Sequence, residues 1–218
     1  MPLALCCNSL RTAHGENLNI RQFAIEHATE APDHGAPIHL LVGTSAEVGK
    51  TTAGVAIVRS LLQNGHATLA VLKATGTASI GELLMYQDFG AAHAFDCVDF
   101  GLPATFPSDR TDIEALFHRM LDTCLSIATD AVLIECGSDM LGANVPRFLK
   151  CLKARRGTGI RVILAAADAL GALGGTGVLR DMGIAVDLIT GPCTDTPTVQ
   201  ARTEALCGVP AMNMSRGG

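Results

Sequence analysis

From Ile38 onward, short apolar runs alternate with longer amphipathic stretches. IHLLVG (38–43), ATLAVLKA (67–74), AVLIECG (131–137), IRVILAAA (160–167) and VDLITG (186–191) are nearly continuous in hydrophobic residues. That pattern predicts strands covered on both faces, as in a parallel sheet. HAFDCVDFG (93–101) and PAMNM (210–214) complete an expected set of about seven strands. Between them lie stretches of helical period: KTTAGVAIVRSLLQN stopping at Gly65, SIGELLMYQDFG, DIEALFHRMLDTCLSIAT (112–129), VPRFLKCLKARR, LGALGGTGVLRDMG and TPTVQARTEALCG. Gly65 suits a helix C-cap, and the basic residues closing the fourth helix suit its dipole. Strictly alternating strands and helices predict an α/β, three-layer fold with helices on both sheet faces.

Residues 1–36 do not share this period. RQFAIEHA (21–28) reads as a short helix and APDHGAP (31–37) as a linker or long turn, so the chain divides into an N-terminal arm, 1–36, and one domain, 37–218. His14, His27 and His34, with the adjacent Cys6 and Cys7, raise the question of a metal site like those of nickel-handling maturation GTPases. They lack ligand spacing, and solvated arm histidines are the expected outcome. The eight cysteines show no C-x-x-C pair, and most read as small buried hydrophobes in a reducing compartment.

Composition narrows the partners. Hydrophobic residues make up 48% of the chain and charged residues 17%, which suits a compact, largely buried sheet. Aromatic residues are only 4%, with no Trp and one Tyr, so the core must rest on Leu, Ile, Val and Ala. A net charge of −5 argues against nucleic acid, whose phosphates attract basic faces. No apolar run reaches the roughly 18 residues of a membrane helix, and the opening lacks a signal peptide's basic start. A cytoplasmic location is expected.

The candidate chemistry begins at GTSAEVGKTT, 43–52. It is close to the phosphate-loop pattern G-x-x-x-x-G-K-[ST], with one more residue between its glycines. It follows a predicted strand and opens a predicted helix, the context in which backbone N–H groups and a helix N-terminus surround phosphate oxygens. Gly43, Thr44, Ala46, Glu47 and Val48 are the expected nucleotide contacts from the loop, with Gly49, Lys50, Thr51 and Thr52 from its end. Lys50 would pair with β- and γ-phosphates and Thr51 would place its hydroxyl on Mg²⁺. Glu135, closing the strand AVLIE, is a candidate metal carboxylate. Lys73 ends the second strand and is a candidate for binding a carboxylate or phosphate. Asp139 could orient substrate or water. Pro192 and Asp195 follow the last strand of the nucleotide edge, where open sheets recognise bases. No N-K-x-D motif is present there, which favours ATP over GTP.

GTSAEVGKT resembles the G-T-D-T-x-V-G-K-T loop of the dethiobiotin synthetases, which has the same five-residue spacing; Ser45 and Ala46 stand where that family has Asp and Thr. Thr44 occupies the place of the second lysine of MinD and ParA proteins. LKATGTAS places Lys73 where that family has a lysine that contacts the substrate carboxylate, with Ala74 for its proline. ECGSD (135–139) matches its metal-site E-G-A-G-G segment at Glu135 and Gly137. Asp88 and Glu82, both on the helix after Lys73, compete for a second acidic place at the metal, and the family's aspartate favours Asp88. KATGT, DFGLPATF and ITGP also look like the C-terminal P-loop domain of some uncharacterised bacterial proteins. The resemblance implies a Mg-ATP-dependent ligase or phosphotransferase, usually homodimeric. Lys50, Lys73 and Glu135 would then activate a small carboxylate substrate. The alternatives are a nucleotide-dependent switch or metallochaperone acting on a protein partner, and a domain that binds nucleotide without turnover.

Overall fold

The computed structural model describes residues 13–15, 17–25, 35–106, 112–127, 130–155 and 159–215. A single six-stranded sheet runs through the domain, built from β1 (Ile38–Gly43), β2 (Leu69–Thr75), β3 (His93–Phe95), β4 (Ala131–Cys136), β5 (Ile160–Ala165) and β6 (Leu188–Thr190). Its order is β3-β2-β4-β1-β5-β6, and every pairing is parallel. The helices are α1 (Lys50–Gln63), α2 (Ile80–Asp88), α3 (Ile113–Ser126), α4 (Val145–Lys153), α5 (Ala169–Asp181) and α6 (Pro197–Cys207).

The continuous apolar runs are explained by two separate cores, one on each face. Ile38, Leu40 and Val42 of β1 point with Leu72, Ile134 and Leu164 toward α3, α4 and α5. Leu41, Val71, Leu133 and Ile163 point the other way, toward α1 and α2. A strand residue faces the side opposite to its neighbours, so a strand buried on both sides needs an apolar residue at nearly every position. The first core contains Phe117 of α3 and Phe148 of α4, both fully buried and packed edge to face with centroids 5.2 Å apart.

Three expected strands are shorter than the sequence pattern suggests; that at 186–191 keeps only Leu188–Thr190. The third strand is confined to His93–Phe95. Beyond it, the Asp96 carboxylate accepts the Val98 amide and the Asp99 carboxylate accepts the Asp96 amide, a local turn that competes with the ladder. The expected seventh strand, 210–214, is reduced to one parallel bridge between Ala211 and Ile189. Asn213 ends it: its side-chain oxygen accepts from both the amide and the hydroxyl of Ser215, bending the chain away. Of the arm, Ile20–Phe23 forms a turn of 3-10 helix capped by Asn19, in place of the start of the expected 21–28 helix. His27, His34, Cys6 and Cys7 lie outside the described residues.

All the loops leaving the carboxyl ends of β1, β2 and β4 emerge on one edge of the sheet. Thr105, fully buried, knits them: its hydroxyl takes the Gly76 amide at 2.8 Å and donates to the Ala143 carbonyl at 2.7 Å. The aromatic contact in the first core makes a direct test of packing. Truncating Phe148 to Ala should cost roughly 3–5 kcal/mol in a urea melt; a loss below about 1 kcal/mol would contradict the packing of α3 on α4.

Candidate functional site

The site starts where β1 ends. Gly43 is followed by an exposed bend, and Gly49, at φ 78°, turns the chain into α1 with Lys50 as its first residue. The Thr44 amide is tied to the Ala165 carbonyl of β5 at 3.0 Å. Among the described residues, no acceptor takes the amides of Ser45 through Gly49, nor those of Lys50 and Thr51 at the open end of α1. A run of unbonded N–H groups at a helix N-terminus is an anion-binding surface.

Lys50 folds back over this bend. Its ammonium donates to the Ser45 carbonyl at 2.9 Å, and only 6% of the residue is exposed. The chain can take this path because Gly43 has no side chain: a Cβ there would lie 2.8 Å from both Cδ and Nζ of Lys50. Burial lowers the Lys50 pKa, against the opposing pull of Glu135. A cation held partly desolvated with a single carbonyl partner is poised for an anion.

Sheet register brings the acidic groups to the same place. Glu135 of β4 lies between Leu41 of β1 and Lys73 of β2, so its side chain emerges on the α1/α2 face. It is 1% exposed. Tyr86 of α2 donates its hydroxyl to Oε2 at 2.5 Å, while Oε1 lies 3.3 Å from the Thr51 hydroxyl. The same hydroxyl is 3.3 Å from Oε1 of Glu82, whose other oxygen is ion-paired with Lys73. A β-bulge at Ala74, the position of the expected family's proline, shifts the register after Lys73.

These groups line one cavity of about 500 Å³, which also takes in Ala46, Glu47, Gly49, Thr52, Gly137, Ser138 and the half-exposed Phe106. A second cavity of about 190 Å³ adjoins it across Gly49 and Thr52, and is closed by Gly191, Pro192 and Asp195. There Asn213 donates to the Asp195 carboxylate at 2.9 Å. Most of the expected nucleotide contacts therefore line two adjoining spaces, with Lys50, Lys73 and Glu135 together in the larger; Gly43 lines neither. Thr44 stands apart, its amide held by β5. Asp88 is misplaced as a metal ligand: it is the last residue of α2, exposed, and outside the cavity. Glu82, six residues earlier in the helix and on the face turned to the sheet, lines the cavity instead. Asp139 does not line the cavity. Burial would raise its pKa, but the amides of Leu141 and Gly142 and the Ser138 hydroxyl bind it and leave it lowered. It shapes the β4–α4 loop.

Sequence reasoning passed over Tyr86, Thr105 and Asn213. Tyr86 carried a usable signal, since it follows Glu82 by four residues and shares its helix face. Thr105 and Asn213 act through loop contacts that no period announces. Among the described cysteines, Cys97, Cys124, Cys136, Cys151 and Cys193 are buried, as the sequence suggests, and burial raises Cys97 and Cys136 to about 12 and Cys193 to about 11, so these remain thiols. No group of three or more His, Cys, Asp or Glu among the described residues could hold a metal by itself. No described helix is long and apolar enough to cross a membrane.

No protein-family model matches the sequence, and no curated protein matches it. Its fold does match solved structures. FtsY from Mycoplasma mycoides aligns with a TM-score of 0.57 at 13% identity, over 90% of this chain and 68% of that one. The Signal Recognition Particle 54 kDa protein from Aeropyrum pernix K1, in complex with GDP, aligns at 0.54 and 17% identity over 90% and 46%. FtsY from Thermotoga maritima gives 0.54 and 17% over 88% and 66%. This chain has the P-loop NTPase fold. At these identities the likeness is one of fold, and this chain spans between about half and two thirds of the length of those proteins.

In a P-loop fold the oxygens of Thr51, Glu82 and Glu135 have a further meaning. The Thr51 hydroxyl has one hydrogen and cannot satisfy both carboxylates, so two acidic oxygens converge on a single donor. That donor set fits a hard divalent cation such as Mg²⁺. Lys50 carries its own stability test. Burial disfavours the charged form, so below its lowered pKa the ammonium destabilises the fold, and the cost fades as pH rises toward the ordinary 10.5. Lys50→Met should therefore melt at the same temperature as wild type or higher at pH 7. A clearly lower melting temperature would mean that Lys50 is a structural residue.

Proposed function

We propose that this protein is a magnesium- and nucleotide-dependent switch, which binds and hydrolyses a nucleoside triphosphate at residues 43–52 and signals its state to a protein partner through the β4–α4 loop. The observation that carries the reading is a hydrogen bond from the Met140 amide to the Gly43 carbonyl at 2.9 Å. It fastens the loop after β4 to the first residue of the phosphate-binding bend. The same loop holds Ser138, Ala143 and Asn144 at positive φ, three of the four described non-glycine residues in that region. Left-handed backbone at such residues is held by its surroundings and is suited to a second arrangement. That the Aeropyrum pernix protein of the same fold was solved in complex with GDP supports a nucleotide ligand.

The free amides of the bend would take phosphate oxygens, and Lys50 would exchange the Ser45 carbonyl for them. Mg²⁺, when bound, supplies positive charge against the phosphates; Thr51, Glu135 and Glu82 would hold it. The base would lie in the smaller cavity, beside Pro192 and Asp195. ATP remains the expectation from the missing N-K-x-D motif, and the GDP-bound neighbour makes GTP its direct rival.

A second reading is activation of a small carboxylate by ATP, the reaction of the dethiobiotin synthetase-like group. One observation favours it: Lys73 is in the phosphate cavity, beside Glu135 and Phe106. Its ion pair with Glu82 weighs against it, since the cation already has a carboxylate partner.

Phosphate release should be measured with ATP and with GTP, each with Mg²⁺, in the presence and absence of a panel of small carboxylates. Hydrogen exchange should be followed in parallel. The switch reading predicts slow turnover independent of the carboxylates, and different protection of residues 137–144 in the triphosphate and diphosphate states. Carboxylate-dependent turnover would transfer the function to the second reading. Binding without turnover under any condition would overturn both.

A further inference from the structure

Tyr86 is the only tyrosine in the chain and is fully buried on α2, one turn after Glu82. Its hydroxyl meets Oε2 of Glu135 at 2.5 Å. The phenol reaches that oxygen across α1, and residue 54 of α1 is glycine. A Cβ at Gly54 would collide with the Tyr86 hydroxyl and come within 2.9 Å of its ring. Glycine is unfavourable in the middle of a helix, so its presence at this contact shows how closely the phenol is accommodated. Three elements thus converge on one carboxylate: β4 carries it, α1 offers the Thr51 hydroxyl to Oε1, and α2 offers the Tyr86 hydroxyl to Oε2.

We propose that Tyr86 is a positioning residue, which holds Oε2 of Glu135 so that Oε1 is presented to Thr51 and to a divalent cation, and which ties α2 to the occupancy of that place. This rests on the reading of the cavity as a magnesium–nucleotide site. A carboxylate has two oxygens, and without a donor on one of them it is free to rotate and to offer either. The phenol removes that freedom, as hydrogen-bonding partners of metal ligands generally do. Glu82 lies on the same helix, so α2 supplies both an acidic oxygen and the clamp on the other one.

The chain also contains its own reporter. With no Trp and one Tyr, its intrinsic emission comes from Tyr86 alone. A phenol bonded to a carboxylate is quenched relative to one whose partner is drawn toward a cation. Wild type and Tyr86→Phe should be titrated with Mg²⁺ at fixed ATP or GTP, with binding followed by calorimetry. In wild type, Tyr86 emission should change saturably, with the midpoint of the Mg²⁺-dependent binding step. Tyr86→Phe should require roughly 10-fold more Mg²⁺ or beyond for the same step, while its affinity for nucleotide without Mg²⁺ stays that of wild type. An unchanged Mg²⁺ requirement in Tyr86→Phe overturns the proposal. So does flat emission while Mg²⁺ binds in wild type, a result that needs no variant to fold. If wild type binds no nucleotide at all, the function proposed above falls and takes this inference with it; if it binds nucleotide with no effect of Mg²⁺, only the metal part of both falls.

Discussion

The structure depends on how it keeps charge buried at the carboxyl edge of an apolar sheet. Isolated ionised groups cannot be placed there without large cost, so each needs a partner of opposite sign or a hydrogen-bond donor. Glu135 has Thr51 and Tyr86, Lys73 has Glu82, and Lys50 has the Ser45 carbonyl. The partners come from α1, from α2, which supplies both Tyr86 and Glu82, and from the bend after β1, so the arrangement exists only when β1, β2, β4, α1 and α2 are all in register. Fold and site are assembled by the same contacts. The least complete of these partnerships is at Lys50, which faces a run of unbonded amides and carries a full charge against one carbonyl.

The loops extend that dependence outward. Met140 reaches back to Gly43, Thr105 joins Gly76 to Ala143, and Asn144 donates to the Thr105 carbonyl at 2.6 Å. A displacement at the bend therefore has a short covalent and hydrogen-bonded route to the start of α4. On the other side, Glu135 and Tyr86 provide a route to α2. These are the two elements through which a change of ligand at the bend would be felt beyond it.

Much of the fold could be read from the chain because parallel strands buried on both faces leave unbroken apolar runs, and β1, β2, β4 and β5 all do so. The seventh strand could not, because PAMNM has the composition of a strand while Asn213 spends its side chain on Ser215 and turns the backbone away. The bend at 43–52 is legible because glycine, lysine and threonine at fixed spacing have few other uses between a strand and a helix. The choice between Glu82 and Asp88 was not, since both fit the distance from Lys73 in sequence. What separates them is helical phase: Glu82 shares a face with Leu83 and Tyr86 toward the sheet, while Asp88 ends the helix in solvent. The Tyr86–Glu135 contact joins residues 49 positions apart and shows in no local pattern.

The claim on which all of this turns is that the amides of residues 45–51 receive phosphate oxygens. Amide resonances followed by ¹H–¹⁵N NMR during addition of a triphosphate with Mg²⁺ test it without intermediary. Large downfield shifts of the Ser45–Thr51 amides, ahead of any elsewhere in the chain, are the expected result. Binding that leaves those amides where they were and moves others would contradict the account.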